Sequence, residues 1–494
     1  MMFAAREEKK LDVSARRPSI LYLGILFLSI IFSLILNLSN EGNSEPSDFR
    51  LIIYNLIIIL IAFSIRKTAE KKPSNYLSPD VIFTAIYSVF HFFYIFLYTF
   101  GVVGIDWEVF WKPEKVVQAT IYSVMCLSIF LFAYELTGAV FRANDGLISP
   151  YTIDNKILVS SKILLLFCFS LFWGFLLYVG LSGGLKEYRE IIRLGNNPGG
   201  RLFWFSQYLA MVGLCIYCAG SGILYHKTMH GKIFSVLVFL FISSVLLLGD
   251  RGGFIYLAIV PVMTYHYFQN RIKLYVMCIS VLVTFFIMGF IGITRSAAVL
   301  DLPKATEVYE KKVSENNVII QTGLEFGTTL KTVVIAIALV PSKHDYWLGK
   351  SYIDAFKIVV PNVMPGATRI SKGLAVWLTE SAFGKLDNTH GRGGSIAMEA
   401  YMNFGFYGGA LSFLFVGWFF RFIYERYLSK PNLMNAVVLL SASSGLMLWV
   451  RNTSNAMPRN IIWAMVTCWI LINMSKLFRD SHQNKKRQDS SIGV

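Results

Sequence analysis

The sequence predicts an all-α, polytopic integral membrane protein of about twelve transmembrane helices with one large loop outside the membrane. Three observations carry this. Hydrophobic residues make up 55% of the 494 residues and charged residues only 15%, where soluble domains run at roughly 45–50% and about 25%. The apolar residues gather in runs close to about 20 residues, the length at which a helix crosses a bilayer. Lys and Arg cluster in the segments between alternate runs, as the positive-inside rule requires of loops on one side.

The runs fall near 19–38, 50–65, 80–101, 117–141, 162–182, 202–224, 233–249, 253–268, 273–293, 404–424, 434–450 and 458–475. The first follows MMFAAREEKKLDVSARRPS, which is charged and lacks a small-residue cleavage site, so it reads as a cytoplasmic tail and not a cleaved signal. Arg66, Lys67, Lys71 and Lys72 follow the second run, Lys227 and Lys232 the sixth, Arg271 and Lys273 the eighth, and Arg421, Arg426 and Lys430 the tenth. An even count places all of these, and both termini, on the cytoplasmic side. The first opposite loop, 40–49, carries Glu41, Glu45 and Asp48 and no base. The expected division is a membrane domain over 1–293 with nine helices, a large outer loop with short helices over 294–403, three last helices over 404–475, and a basic cytoplasmic tail over 476–494. Inside the loop, Val333–Val340 is apolar but too short to span, and predicts a helix buried in the loop domain or lying at the interface.

The net charge of +16 does not point to nucleic acid, because much of it lies beside membrane segments where it sets orientation. All six cysteines fall inside apolar runs. Cys215 and Cys218 have CxxC spacing, but within one apolar helix and without a second pair they read as small buried residues. No DxD triplet or dense acidic set for a divalent metal occurs. His91 and Glu135, inside the third and fourth runs, read as structural.

Arginine, by contrast, is abundant where the positive-inside trend expects little of it. The topology puts Arg189, Arg193 and Arg201 in the third outer loop, Arg251 in the fourth, Arg295, Arg369 and Arg392 in the large loop, and Arg451 and Arg459 in the last. Singly, each reads as a surface arginine snorkelling to headgroups. As a set on one face they point to function, since an ionisable group at a span end needs a cavity or a partner. The planar guanidinium fork suits bidentate phosphate binding. Arg251-Gly252-Gly253, in LLLGDRGGFIYL, recurs as Arg392-Gly393-Gly394 in THGRGGS, and glycine lets backbone approach a ligand. An Arg-Gly-Gly segment at the membrane surface is therefore expected to hold a lipid-linked phosphate, although Gly-Gly beside a charge is also ordinary turn chemistry. Asp250 either aims Arg251 or neutralises it. Glu399 lies about two helical turns after Arg392 and suits three roles: general base, acceptor from a sugar hydroxyl, or salt-bridge partner of an arginine. His390 is the second candidate for activating a hydroxyl.

Several pieces in order resemble the O-antigen polymerase (Wzy-type) family of oligosaccharide repeat-unit polymerases. They are Tyr76-Leu-Ser-Pro-Asp80 leading into an aromatic span with Tyr87 and His91; Gly249-Asp250-Arg251-Gly252; Trp347-Leu-Gly349-Lys-Ser-Tyr352 followed by Pro361; Glu399-Ala-Tyr-Met-Asn403-Phe-Gly405; and Val450-Arg451-Asn452. Asp250 departs from the small residue that the family often has there. The resemblance implies a GT-C-like glycosyltransferase that joins undecaprenyl-diphosphate-linked glycans, donor and acceptor both, within the lipid bilayer, with inversion and with neither cofactor nor required metal. It implies a chain-length regulator (Wzz-type) and a flippase (Wzx-type) as partners. On this reading the catalytic set is Arg251, Arg392, Glu399 and His390, and the substrate-binding set is Arg295, Arg451, Arg459, Arg189 and Tyr352. A lipid-linked oligosaccharide flippase and an O-antigen ligase remain the rival readings.

Overall fold

The computed structural model describes residues 19–39, 46–69, 76–140, 155–182, 198–221, 229–247, 251–269, 272–294, 310, 317–360, 373–384 and 393–492. Among the described residues every regular element is helical. In order these are α1 (Ile20–Ser39), α2 (Pro46–Ala69), α3 (Pro79–Thr99), the short α4 (Trp107–Phe110), α5 (Val116–Val140), α6 (Asn155–Ser182), α7 (Pro198–Ser221), α8 (Met229–Leu247), α9 (Arg251–Thr264), α10 (Leu274–Thr294), α11 (Val318–Gly327), α12 (Leu330–Leu339), α13 (Lys350–Lys357), α14 (Leu374–Phe383), α15 (Ile396–Ser429), α16 (Leu433–Arg451) and α17 (Ala456–Ile492).

Ten of the described helical stretches are long and apolar enough to cross a membrane. Nine coincide with predicted runs: α1, α2, α3, α5, α6, α10, α15, α16 and α17. The predicted runs at 202–224, 233–249 and 253–268 form α7, α8 and α9, with shorter apolar cores at Phe205–Gly220 and Gly231–Leu246. Pro261 lies inside α9, and the helix loosens into a π turn over Tyr265–Gln269. Proline there lacks the N–H of the ladder and crowds the carbonyl four residues back.

The tenth stretch is Ile320–Leu339, in the segment that the sequence assigns to the large loop. Its contacts keep both of its ends at one end of the bundle, the end carrying the 100–115 connection, called here the upper end. Thr322 fills the space left by Gly289 and Gly323 sits on Phe93. Phe326 then meets Phe285 at 5.4 Å and Phe90 at 5.5 Å between ring centroids. So α11 descends between α3 and α10. After Thr328 and Thr329, α12 climbs again. Val340 carbonyl accepts the Tyr401 hydroxyl at 3.2 Å, and Lys343 Nζ lies 6.0 Å from the Trp111 ring in the upper connection. The helix expected around Val333–Val340 is present and buried, and the stretch has both ends toward the upper end of the bundle.

The centre of the bundle is α5, buried over 89% of its apolar window, with α15 along it. Close approach comes from glycine: a Cβ on Gly417 would overlap the Phe130 carbonyl and Ala133, and one on Gly409 would overlap Tyr122 and Ala400. Small residues at such contacts let helices pack without a hydrophobic driving force between them. The hydroxyls of Thr120, Ser123, Ser128 and Thr137 bond the carbonyls four residues back, at 2.7–3.0 Å, so these polar groups stay satisfied in an apolar surrounding. His91 does the same through Nδ1 to the Tyr87 carbonyl at 3.1 Å and stacks on the Tyr87 ring. The lower end is closed by ion pairs: Arg66–Glu135 at 2.8 Å, Lys67–Asp80 at 2.5 Å and Arg421–Glu425 at 2.5 Å. Glu135 is thus held in an ion pair, and His91 lies in the packed interior with its Nε2 meeting no hydrogen-bond partner. All cysteines among the described residues are free thiols, with Cys215 and Cys218 buried.

Candidate functional site

The predicted tenth span begins eight residues before its expected start at 404. Ser395 caps the helix, its hydroxyl accepting from Met398 N at 3.0 Å. The expected boundary at 403/404 therefore falls inside α15. The apolar run begins late, at the far side of a sharp bend at Gly405, where φ is +71° and ψ −167°. That conformation belongs to glycine. The bend folds Ile396–Phe404 back on the main part of α15, so that Ala400 faces Gly409. Helix 396–404 and α12 run upward side by side: Thr332 Oγ is 3.4 Å from Ser395 Oγ at their starts, and Tyr401 reaches Val340 near their ends.

A bent helix leaves carbonyls without partners. Here the segment Trp347–Ser351 supplies them. Trp347 N donates to Met402 carbonyl at 3.0 Å and Leu348 N to Asn403 carbonyl at 3.1 Å. Gly349 N donates to Asn403 Oδ1 at 2.9 Å, and Asn403 Nδ2 donates to Ser351 Oγ at 2.7 Å and to the Glu399 carbonyl at 2.8 Å. Gly349, at φ +86°, makes the turn that opens α13. The two motifs Trp347–Tyr352 and Glu399–Gly405 are one structural unit. Tyr352 stacks against Phe404 at 6.1 Å. Its phenol is held well above its ordinary pKa, first by burial and then by the Glu399 charge, so it stays neutral. Gly405→Ala should cost about 1–3 kcal/mol, since a Cβ there would lie 3.0 Å from the Tyr346 ring. Thermal unfolding in detergent checks this.

Glu399 is fully buried. Its Oε2 accepts from Trp449 Nε1 at 3.0 Å and from Ser454 N at 2.7 Å, and Oε1 accepts from Ser454 Oγ at 2.7 Å. The sequence offers it as a general base, an acceptor from a sugar hydroxyl or the partner of an arginine. In the structure the two oxygens between them accept from Trp449, in the last turn of α16, and from Ser454, in the turn after it. The helix α15 starts only at Ile396, after Gly393 and Gly394. This anchoring sets Gly393 and Gly394 against the last turn of α16, where Gly394 N donates to Arg451 carbonyl at 3.3 Å. Gly393 adopts φ +93° and faces the same carbonyl. Arg451 is half-buried and its guanidinium lies 5.4 Å from the Phe90 ring. The second Arg-Gly-Gly segment and the Val450-Arg451-Asn452 motif thus meet, bridged by Glu399.

Arg459 belongs to a neighbouring group. Its guanidinium carbon lies 3.4 Å from the Tyr208 ring centroid and 5.9 Å from that of Trp463. Arg251 is the first residue of α9. Arg189, Arg295, His390 and Arg392 lie outside the described residues. Sequence reasoning missed Trp449, Ser454 and Tyr208; the indole next to Val450-Arg451-Asn452 was the available signal.

The family model for O-antigen polysaccharide polymerase Wzy matches residues 20–479. No curated protein and no solved structure matches the chain. The match takes in α1 through most of α17, including the bent α15, its strap at 347–351 and the arginine-bearing helix ends, and the chain belongs to the O-antigen polysaccharide polymerase Wzy family.

Proposed function

We propose that the chain extends O-antigen or a related surface polysaccharide by joining oligosaccharide units carried on undecaprenyl diphosphate, with upper-end arginines stabilising the leaving diphosphate. The observation that carries this is Arg451, half-buried and held beside the Gly393-Gly394 segment by the Glu399 anchor. The acceptor's terminal hydroxyl oxygen bonds to the donor's anomeric carbon with inversion. The bond from that carbon to the phosphate oxygen breaks, the hydroxyl proton passes to a base, and undecaprenyl diphosphate departs with the electron pair. Cations preorganised in a partly dehydrated site lower the energy of that developing charge, and arginines supply here what a divalent ion supplies elsewhere. Arg251 and Arg392 complete the diphosphate contacts, while Arg189, Arg295 and Tyr352 line the substrate path. His390 is the candidate base, and Glu399 is a positioning residue.

In this reading the nine long helices other than Ile320–Leu339, with α7, α8 and α9, make twelve crossings. Both termini are then cytoplasmic, the 294–403 segment is periplasmic, and the membrane is the inner one. A chain-length regulator (Wzz-type) and a flippase (Wzx-type) are the expected partners. The family match favours polymerase over the flippase and ligase readings. A strain lacking the chain should keep lipid A core bearing single units and lose the polymer ladder. Long lipid-linked polymer accumulating without transfer would instead identify a ligase.

A further inference from the structure

Helix α13 is amphipathic in the inverted sense. Its polar residues Ser351 and Asp354 are buried, at 4% and 9% exposure, while Ile353 and Phe356 stand outward at 58% and 61%. Leu348, just before the helix, and Val360, just after it, are exposed as well. The inward groups are engaged. Ser351 Oγ accepts from Asn403 Nδ2 at 2.7 Å, and Asp354 Oδ1 accepts from Lys357 Nζ at 2.9 Å. The strap therefore fixes which way the helix is turned, and its apolar side is turned away from the protein. Large apolar side chains grouped in this way mark a surface that meets something other than water.

The place where α13 is fastened says what covers that side. Trp463 Nε1 donates to the Val359 carbonyl at 2.7 Å, just beyond the last turn of α13. Trp463 lies about two turns into α17, within the stretch Met457–Leu477 that is long and apolar enough to cross a membrane. Below it on the same face of α17, at steps of three and four residues, come Val466, Ile470, Met474 and Leu477, all exposed. An exposed apolar stripe along a crossing helix is its lipid-facing side. So α13 is tied to the upper end of a lipid-facing stripe, at the level that tryptophan favours, and its outward side chains continue the stripe. Lys350 and Lys357, exposed at the two ends of α13, have stems that can lie along apolar surface with their heads in water.

We infer that α13 is an interfacial anchor whose partner is the bilayer: it lies in the upper leaflet with Leu348, Ile353, Phe356 and Val360 among the acyl chains. The anchor gives lipid a hold on the site. Gly349 N and Ser351 Oγ, at the start of α13, clamp Asn403, two residues before the bend at Gly405. Lipid that seats α13 therefore seats the strap over the bend. Bimane fluorescence tests this. Phe356→Cys and Ile353→Cys are made in a Cys278→Ser chain, since Cys278 is exposed and the other cysteines are buried. Ser342→Cys, exposed beyond the end of α12, is the water-facing control. Each labelled protein is placed in phosphatidylcholine nanodiscs, with or without bromine near the top of the acyl chains. Brominated lipid should quench bimane at 356 and 353 about twofold or more, as for a group about 5–10 Å inside the headgroup boundary, and aqueous iodide should quench it little. At 342 the order should reverse. Iodide quenching at 356 and 353 equal to that at 342 puts the face in water and overturns the anchor. Protection from both quenchers means that protein, such as a second copy of the chain, covers the face, and overturns it equally. The two positions are read separately, so one variant with an unchanged unfolding temperature decides.

Discussion

Replacing Arg451 with alanine should reduce chain elongation by about two to three orders of magnitude, the usual loss when one preorganised donor to a developing oxyanion is removed. The tie from α16 to Gly394 should survive, because it uses the Arg451 carbonyl. What is lost is a half-buried guanidinium over Phe90. Arg451→Lys should also impair, since an ammonium keeps the charge but lacks the planar fork that meets two phosphate oxygens at once. The measurement is the lipid-linked glycan ladder, normalised to the amount of protein in the membrane. Normal polymer length in Arg451→Ala would remove this arginine from the diphosphate site.

Glu399 gives the second large effect, and the choice of substitution separates two roles. Glu399→Ala strands Trp449 Nε1, Ser454 N and Ser454 Oγ in a buried place. Hydrogen bonds to a charged group contribute roughly 1.5–3 kcal/mol each, so the loss should reach about 4 kcal/mol or more and take elongation with it. Glu399→Gln is different. Its amide oxygen can accept from Trp449 Nε1 and Ser454 N, while its nitrogen donates to a rotated Ser454 hydroxyl. A positioning residue therefore tolerates glutamine in both unfolding temperature and ladder. A general base does not, since an amide takes no proton, and loss of a base costs about 10²–10⁴ in rate. A folded but inactive Glu399→Gln protein would return Glu399 to the chemistry.

The crossing helices were readable in sequence because lipid imposes one strong demand, a long apolar run with its backbone bonded internally. Ile320–Leu339 escaped because Gln321, Thr322, Glu325 and Lys331 interrupt its hydropathy. The stretch is largely buried within the bundle, so it meets protein and not lipid. The bend at Gly405 was hidden for another reason. Helix-compatible residues continue on both sides, and only one backbone dihedral decides the direction. Arginines at helix ends were legible, as Arg451 closes α16 and Arg459 lies in the first turn of α17. The partners of Glu399 were not, as they lie 50 and 55 residues away and no local spacing encodes them. The same holds for the bond from Gly349 to Asn403.

The return of Ile320–Leu339 to its own side has a consequence for how the rest of the chain is oriented. Compartment alternates with each true crossing, so parity is the quantity that matters. A stretch that dips and comes back adds hydrophobic length but no change of sign. Reading it as a tenth long crossing would invert everything from Ser342 onward: the strap at 347–351, the Gly393-Gly394 segment and the basic C-terminal helix. Reading it as a dip keeps the helix ends at Arg251 and Arg451 in one compartment, as the proposed topology requires.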